Sequence, residues 1–335
     1  MKKNEVEVKK PPILFEKTQH IIRKIADNIE GDFLTYWVSD NSRIANEDVV
    51  AFYQTLKSSA KSKTLNFFLK SDGGSGEGSL RIVNLLREFY DKINVYVPLD
   101  CASAATMLAL GADKIIMGPL AYLSAIDTSI THELSPLDEK FNDKVSVSQN
   151  ELSRVLALWE KNKQEKDINP YAELYKYVHP LVFGSVDRAT SLSIKITTDI
   201  LSYHVDDVKE AERISNHLNS DYPSHSYPIT IRQAKKIGLK VEEMDSKMNE
   251  RLLKLNELYS EMAQYAYTDY DEVNYHDNEI MKFVEGVDLQ LFYQKDKDWH
   301  YRTEERRWVS MNDESSWRKN EMVNKKIKET RFYIN

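Results

Sequence analysis

The chain has 335 residues, 41 % of them hydrophobic, and carries a net charge of −7. This length allows one large domain or two smaller ones, and the acidic balance argues against a nucleic-acid-binding protein, which usually needs a basic face. A single cysteine excludes an internal disulfide framework. No stretch approaches the ~18 to 20 apolar residues of a membrane span, and the N-terminus lacks the apolar core of a signal peptide. We therefore expect a cytoplasmic protein with no transmembrane segment.

Strands and helices alternate through the first half of the chain. After an N-terminal arm and helix at residues 1–30, the pattern predicts strands in "DFLTYWVSD", "KTLNFFLKSD", "INVYVPL" and "KIIMG", with helices between them. This alternation is typical of βαβ units, which build a parallel sheet with right-handed crossovers. We therefore predict an α/β core of stacked βαβ units over residues 31–245.

Helical patterns dominate the part of the chain that follows. They cover residues 148–165 and 170–219 and precede the strand–turn–helix segment "YPSHSYPITIRQAKKIGLKV". A seam of Met, Leu and Tyr between residues 244 and 262 predicts another helix, used for packing or for contact between subunits. From about residue 266, alternating aromatic and charged residues predict a small β-hairpin. We assign residues 246–335 to a helical oligomerisation arm with this β appendage.

Four of the ten glycines of the chain lie in "LKSDGGSGEGSL", between a predicted strand and a predicted helix. The stretch lacks the Gly-Lys-Ser/Thr of a phosphate-binding loop and the third glycine of a dinucleotide fingerprint. Because glycine has no Cβ, its backbone N–H can approach a ligand closely and stabilise an oxyanion. Gly73 and Gly74 are therefore candidate oxyanion donors, and a tight turn without chemistry is the alternative.

A serine stands at the start of the next predicted helix, in "CASAATMLALGA". Ser103 would lie in the positive field of the helix N-terminus, which favours developing negative charge, and its small neighbours leave room for a substrate carbonyl. Spacing alone equally allows a closely packed structural helix. Eight scattered histidines and one cysteine form no metal-ligand pattern, so we expect neither a metal nor another cofactor.

The segment "CASAATMLALGADKIIMGPLAYLSAID" resembles the nucleophile region of the Clp protease/crotonase superfamily. It looks most like the serine dehydrogenase proteinase (SDH) family, which is related to signal peptide peptidase A. Those proteins also carry an upstream Gly-Gly loop and a "His-x-Tyr-Pro-Ile-Thr" segment, matched here by "HSYPIT" at 225–230. The resemblance covers roughly residues 30–245. It implies a ClpP/crotonase-like fold with Ser103 as nucleophile.

Three positions depart from the family pattern. Ala105 replaces the glycine usual after Ser-Ala, Asp72 replaces the proline often found before Gly-Gly, and "Ser-Ala-Ile-Asp" replaces "Gly-Pro-Ile-Asp". A carboxylate at Asp72 would oppose negative charge in the oxyanion pocket unless it points away. These departures leave a weak or degenerate enzyme as an alternative.

A serine nucleophile needs a general base, and two schemes fit the resemblance. In the first, His225 takes the proton and Asp127 orients its ring; relative to the Clp proteases the two residue types are exchanged in chain order, which a triad permits. In the second, the base is Lys144 or Lys140, in the segment where signal peptide peptidase A has its lysine. The alternative to both schemes is that these two lysines, the histidine and the aspartate are ordinary turn or surface residues.

The sequence therefore predicts a serine peptidase that hydrolyses a peptide or protein substrate through an acyl-enzyme on Ser103. A crotonase-like acyl-CoA enzyme would use the same oxyanion geometry without a serine nucleophile. A catalytically degenerate assembly subunit would use neither. Since this superfamily generally works as symmetric oligomers, we expect a homo-oligomer and no nucleic-acid partner.

Overall fold

The computed structural model describes residues 6–138, 143–162, 169–323 and 326–332. Its helices are α1 (Phe15–Ala26), α2 (Asp48–Ser59), α3 (Gly76–Phe89), α4 (Ala104–Leu110), α5 (Gln149–Asn162), α6 (Pro170–Leu174), α7 (Pro180–Leu201), α8 (Val208–Ser220), α9 (Ile231–Ile237) and α10 (Ser246–Met262). Within these ranges no helix combines the length and the apolar character that crossing a bilayer requires.

Strands and helices alternate at the start of the chain, and after α10 the strands follow one another directly. They are β1 (Asp32–Val38), β2 (Thr64–Lys70), β3 (Lys92–Val97), β4 (Asp100–Cys101), β5 (Lys114–Met117), β6 (Tyr122–Leu123), β7 (Ser129–Ile130), β8 (Leu137–Asp138), β9 (Asp143–Lys144), β10 (Val147–Ser148), β11 (Val241–Glu243), β12 (Ala266–Asp271), β13 (Asn274–Gly286), β14 (Leu289–Arg302), β15 (Arg307–Asp313), β16 (Ser316–Val323) and β17 (Lys326–Phe332).

The main sheet has the order β11-β5-β3-β2-β1-β13-β14-β16-β17, with β12 beside β13 and β15 beside β14. The first five of these strands are parallel to one another, and β13 joins β1 in antiparallel orientation. Helices connect the parallel strands, so the predicted α/β class with stacked βαβ units is confirmed.

Both faces of the parallel strands are covered. Along β1, Leu34 and Tyr36 pack with the core that includes α2, α3 and α7, whereas Phe33 and Trp37 pack with the core that includes α1 and α10. This explains why these strands are nearly continuous apolar runs, as in "TLNFFLK", and do not alternate with polar residues. The result is a helix–sheet–helix arrangement in which the carboxyl ends of the strands remain accessible.

Two of the predicted helices differ from the observed ones. The pattern at 170–219 is three helices, because Pro180 begins α7 and Asp207 caps α8 through a hydrogen bond from the Lys209 N–H. The pattern at 148–165 forms α5 as far as residue 162, and its end lies outside the described residues.

The apolar seam of α10 lies inside the protomer. Its buried residues are Leu252, Leu255, Tyr259 and Met262. They pack with α1 and with the second face of the main sheet. The seam therefore does not offer the apolar surface for subunit contact that the sequence suggested, and the predicted homo-oligomer needs another surface.

The C-terminal region is larger than the predicted β-hairpin. In the described part of this region, six strands, β12 to β17, follow α10. Through β13 they join the central sheet, with Lys282 opposite Val38 and Gly286 opposite Leu34. These strands therefore continue the sheet that carries the predicted site.

Candidate active site

A cleft of about 640 Å³ opens where the loop after β2 meets the N-terminus of α4. Gly74, Ser103, Asp127 and His225, four of the residues predicted from the sequence, line it. Its lining includes the apolar residues Met107, Ile126, Ile130, Ala189, Leu192 and Ile196. It also includes three charged residues, Arg43, Asp72 and Glu77. The tertiary structure thus gathers residues from distant parts of the chain around one space.

Ser103 stands between β4 and α4 in a backbone conformation that few residues other than glycine adopt. Its φ is 53° and its ψ is −120°. Such a conformation costs on the order of 1–3 kcal/mol and persists only where the surrounding structure holds it. The sharp turn exposes the serine at the cleft instead of continuing it along the strand.

A chain of buried hydroxyl groups holds this turn. The Ser103 N–H donates to Ser124 Oγ at 2.8 Å, and Ser124 Oγ donates to the Ala125 carbonyl at 3.0 Å. The Ser124 N–H in turn donates to Thr106 Oγ1 at 3.0 Å, and Thr106 Oγ1 donates to the Cys101 carbonyl at 2.7 Å. Ser124, where the family pattern has glycine, therefore has a specific role in fixing the backbone of Ser103.

The glycine pair is required by close packing. At Gly74, with φ +142°, a Cβ would lie 2.4 Å from the Ile44 carbonyl oxygen and 2.5 Å from its nitrogen. At Gly73, with φ +108°, a Cβ would lie 2.7 Å from Ser103 Cβ. Both positions combine a positive φ with backbone or serine contacts that leave no space for a side chain. The glycines thus let the loop pack directly against the serine turn.

The two glycine N–H groups differ in availability. The Gly73 N–H donates to Ser71 Oγ at 3.0 Å, so it is already bound. The N–H groups of Gly74 and Ala104 form no hydrogen bond to any residue that the structure describes, and both residues line the cleft. Gly74 and Ala104 therefore have N–H groups available at the cleft, whereas the N–H of Gly73, the other expected donor, is already bound.

Sequence reasoning missed Ala104, although a signal was present. The first N–H groups of a helix have no intrahelical acceptor, and Ala104 is the first residue of α4. What the sequence could not show is that Ser124 occupies the N–H of Ser103 and leaves that of Ala104 open.

His225 and Asp127 are in direct contact. Nδ1 of His225 lies 2.8 Å from Oδ1 of Asp127, and the carboxylate side chain is 15 % exposed while the imidazole is 51 % exposed. The hydrogen bond to Asp127 raises the pKa of His225 above its ordinary value, against the lowering effect of burial. With Nδ1 held by the carboxylate, Nε2 is the ring nitrogen left for another partner.

A pairing between two distant segments brings this couple together. Leu123 and Ile229 form an antiparallel bridge, with the Leu123 N–H donating at 3.0 Å and the Ile229 N–H donating at 2.7 Å. Asp127 and His225 follow and precede this bridge by four residues each. His225 forms no hydrogen bond to Ser103 in this structure, although both residues line the same cleft.

Lys144, one of the two alternative bases, is not part of the cleft. Lys144 lies in β9, is exposed, and is not among the residues that line the cleft. Lys140 lies outside the described residues. The geometry therefore supports the histidine scheme over a scheme based on Lys144.

The carboxylate of Asp72 is accompanied by cations. Arg43 Nη1 lies 3.9 Å from its Oδ2, and the field of Asp72 also acts on the buried Lys70. Burial lowers the pKa of Lys70, but Asp100, Asp40 and Asp72 together raise it above its ordinary value. Lys70 therefore stays charged, but it also pairs with Asp40 and Asp100, so Lys70 and the exposed Arg43 offset only part of the negative charge beside the glycine loop.

Comparison with known proteins gives relatives without a family assignment, since no family model matches the sequence. Two curated proteins of Methanocaldococcus jannaschii are similar to it. Uncharacterized protein MJ0137 is 26 % identical over 223 residues, which are 65 % of this chain and 66 % of the relative. Uncharacterized protein MJ1495 is 24 % identical over 218 residues, 64 % of either chain. The chain thus spans just under two thirds of the length of these curated relatives.

Two solved structures of the 1510-N membrane-bound stomatin-specific protease are also similar. A serine-to-alanine mutant gives a TM-score of 0.39 at 14 % identity, covering 71 % of this chain and 88 % of the other. A lysine-to-alanine mutant in complex with a substrate peptide gives 0.37 at 15 % identity, covering 68 % and 80 %. None of the four names refers to the serine dehydrogenase proteinase family, so that assignment stays a prediction.

Proposed function

We propose that the protein is a serine peptidase that hydrolyses peptide bonds through an acyl-enzyme on Ser103. The observation that carries this proposal is the content of one cleft. A serine in a strained turn, a hydrogen-bonded His225–Asp127 couple and two free backbone N–H groups line the same space. These are the nucleophile, the oriented base and the oxyanion donors that acyl transfer needs.

In the first half of the reaction, Ser103 Oγ attacks the carbonyl carbon of the peptide while His225 Nε2 takes the hydroxyl proton. Asp127 holds Nδ1 and stabilises the imidazolium that forms. The negative charge that develops on the carbonyl oxygen is bound by the N–H groups of Gly74 and Ala104. His225 then gives the proton to the leaving amine, and the acyl group remains on Ser103.

In the second half, His225 Nε2 takes a proton from water, and the resulting nucleophile attacks the acyl carbon. The same two N–H groups bind the second oxyanion. Collapse of the intermediate releases the carboxylic acid product, and the proton returns to Ser103 Oγ. Because His225 is half-exposed and not bonded to Ser103, the imidazole must turn towards Oγ when substrate binds, as happens at sites whose catalytic bonds tighten in the complex.

The proposal is tested by labelling with a fluorophosphonate, which reacts with an activated serine. Intact-protein mass spectrometry and peptide mapping should show one adduct, on Ser103. Ser103→Ala should remove the adduct, whereas Ser202→Ala, which changes an exposed serine at the end of α7, should keep it. Hydrolysis of a casein or peptide-library substrate should follow the same pattern.

Other outcomes favour the competing functions. If Ser103 were never labelled while acyl-CoA thioesters were turned over, a crotonase-like enzyme would replace the peptidase. If the protein neither labelled nor turned over either substrate, a degenerate assembly subunit would be the better description.

A further inference from the structure

The loop between β1 and α2, residues 39–47, lies between the C-terminal strands and the glycine loop. On one side it is bound to β13. The Ser39 N–H donates to the Met281 carbonyl at 2.9 Å, and Asn41 Nδ2 donates to Glu279 Oε1 at 2.8 Å. These contacts fix the position of loop 39–47 relative to the C-terminal part of the sheet.

On its other side, the same loop is bound to the glycine loop. The Ile44 N–H donates to the Gly73 carbonyl at 2.8 Å, and the Ser75 N–H donates to the Ile44 carbonyl at 2.9 Å. These bonds flank Gly74, the residue whose N–H remains free. Because Gly74 and Ile44 approach too closely for a Cβ to fit, a shift of Ile44 must move the glycine loop as well.

A buried ion pair joins the two sides. Lys282 Nζ, on β13, donates to both carboxylate oxygens of Asp48 at 2.8 and 2.9 Å. Their side chains are 9 % and 2 % exposed. Asp48 also accepts from the Ala45 N–H at 2.8 Å and from Tyr36 OH at 2.5 Å. The carboxylate of Asp48 thus holds the backbone at Ala45, next to Ile44. Lys282 neutralises the negative charge of this buried carboxylate.

We propose that Lys282 is a positioning residue for the oxyanion site, acting through Asp48 and loop 39–47 on Gly74. This inference rests on the proposed function, since it assumes that the Gly74 N–H binds the oxyanion. It gives the C-terminal strands a role: β13 serves as the fixed support against which the glycine loop is held.

The test compares the rate of Ser103 labelling in three variants. Lys282→Gln removes the charge that balances Asp48. Asn41→Ala removes the hydrogen bond from an exposed side chain to Glu279 on β13. Arg318→Gln is the matched control, because Arg318 pairs with Asp296 in the same C-terminal sheet, its side chain is also 9 % exposed, and it forms no hydrogen bond or ion pair with the described loop 39–47. The rate constant of fluorophosphonate labelling and the final labelled fraction are measured separately. The reaction is quenched at intervals, and the labelled fraction is determined by intact-protein mass spectrometry.

If an oxyanion donor is displaced, the rate constant of Ser103 labelling falls in every folded molecule. Removing a donor completely costs about 10²- to 10³-fold, so we expect Lys282→Gln to slow labelling roughly tenfold or more and Asn41→Ala to slow it less. Neither variant should change the pH at which half of the maximal rate is reached, because His225 and Asp127 are untouched. Arg318→Gln should keep the wild-type rate constant even if its stability falls.

The inference is overturned if the wild-type protein is labelled and folded Lys282→Gln keeps the wild-type rate constant. A merely structural role for Lys282 would lower only the final labelled fraction, because unfolded molecules do not react and folded ones react normally. Should Lys282→Gln fail to fold, the rate constant of Asn41→Ala decides the question alone. Failure of the proposed function looks different, since the wild-type protein itself would then not be labelled on Ser103.

Discussion

At the scale of single residues, the contact between His225 and Asp127 determines how the site responds to pH. The hydrogen bond to Asp127 raises the pKa of His225, and only the neutral imidazole can accept a proton from Ser103. A raised pKa means that more of the histidine is protonated, and therefore inactive as a base, at a given pH.

We therefore expect the Ser103 labelling rate to rise with pH through a midpoint above the ordinary histidine value of 6.5. Asp127→Asn should move the midpoint to lower pH and reduce the plateau by orders of magnitude, since the imidazole loses its orienting partner. Lys144→Met should leave the profile unchanged. A rise at markedly higher pH that disappears in Lys144→Met would support a lysine base and contradict the histidine scheme.

At the scale of elements, the glycine loop and helix α7 respond oppositely to an added methyl group. At Gly74 a Cβ would lie within 2.5 Å of the Ile44 backbone, whereas at Gly184 on α7 no atom lies within 4 Å of it. Gly74 therefore allows two loops to pack closely against each other, whereas Gly184 faces open space.

We expect Gly74→Ala to slow Ser103 labelling about a hundredfold or more, because the loop must shift and displace an oxyanion donor. Gly184→Ala should leave labelling unchanged and raise the free energy of unfolding by about 0.4–1 kcal/mol, since alanine restricts the unfolded chain. Labelling kinetics and urea unfolding of the two variants measure both effects. Unchanged labelling in Gly74→Ala would mean that the glycines serve only as a turn.

At the scale of the whole molecule, Glu285 joins parts of the chain that are far apart. This carboxylate on β13 is fully buried, and it accepts hydrogen bonds from Thr18, Gln19, Tyr259 and Gln290. The donors come from α1, α10 and β14. Burial raises the pKa of Glu285 to about 7, in spite of the four donors that lower it. In the folded protein the group therefore binds its proton more tightly than in the unfolded chain.

This difference links stability to pH. Between the unfolded pKa of about 4.3 and the folded value, the native state holds a proton that the unfolded state has released. The contribution of Glu285 to stability is therefore fully present below the lower value and is lost as the pH rises through the higher one. We expect this loss to be on the order of 4 kcal/mol, from ~1.4 kcal/mol per pH unit.

Glu285→Gln removes this titration. The free energy of unfolding of the variant minus that of the wild-type protein should increase as the pH is raised from 4.5 to 7.5, because only the wild-type protein loses the contribution of Glu285. Urea unfolding of both proteins at several pH values measures this difference. A difference that did not change with pH would show that Glu285 has the same pKa in the folded and unfolded states.

Local sequence was sufficient for the parts of the protein that depend on neighbouring residues. The alternation of strands and helices predicted the parallel sheet, and the glycine cluster and the serine before α4 marked the edge where the cleft lies. Periodicity predicted α10 as well, but not what covers its seam. The seam is buried against the sheet and against α1, which lies more than 200 residues away along the chain, a contact that no local pattern encodes.

Which backbone N–H groups are free at the cleft, and which side chains meet there, depends on the tertiary structure. Gly73 and Ala104 both have backbone N–H groups near Ser103, and the sequence favoured Gly73. Hydroxyl groups supplied by Ser71 and Ser124 engage the N–H groups of Gly73 and Ser103 and leave that of Ala104 free.

Likewise, His225 and Asp127 are 98 residues apart, and they meet because Leu123 and Ile229 pair across that distance. Propensity and spacing determine which elements form. Which polar groups remain unpaired in a cleft depends on how those elements pack, because every potential donor is satisfied or left free by residues elsewhere in the chain.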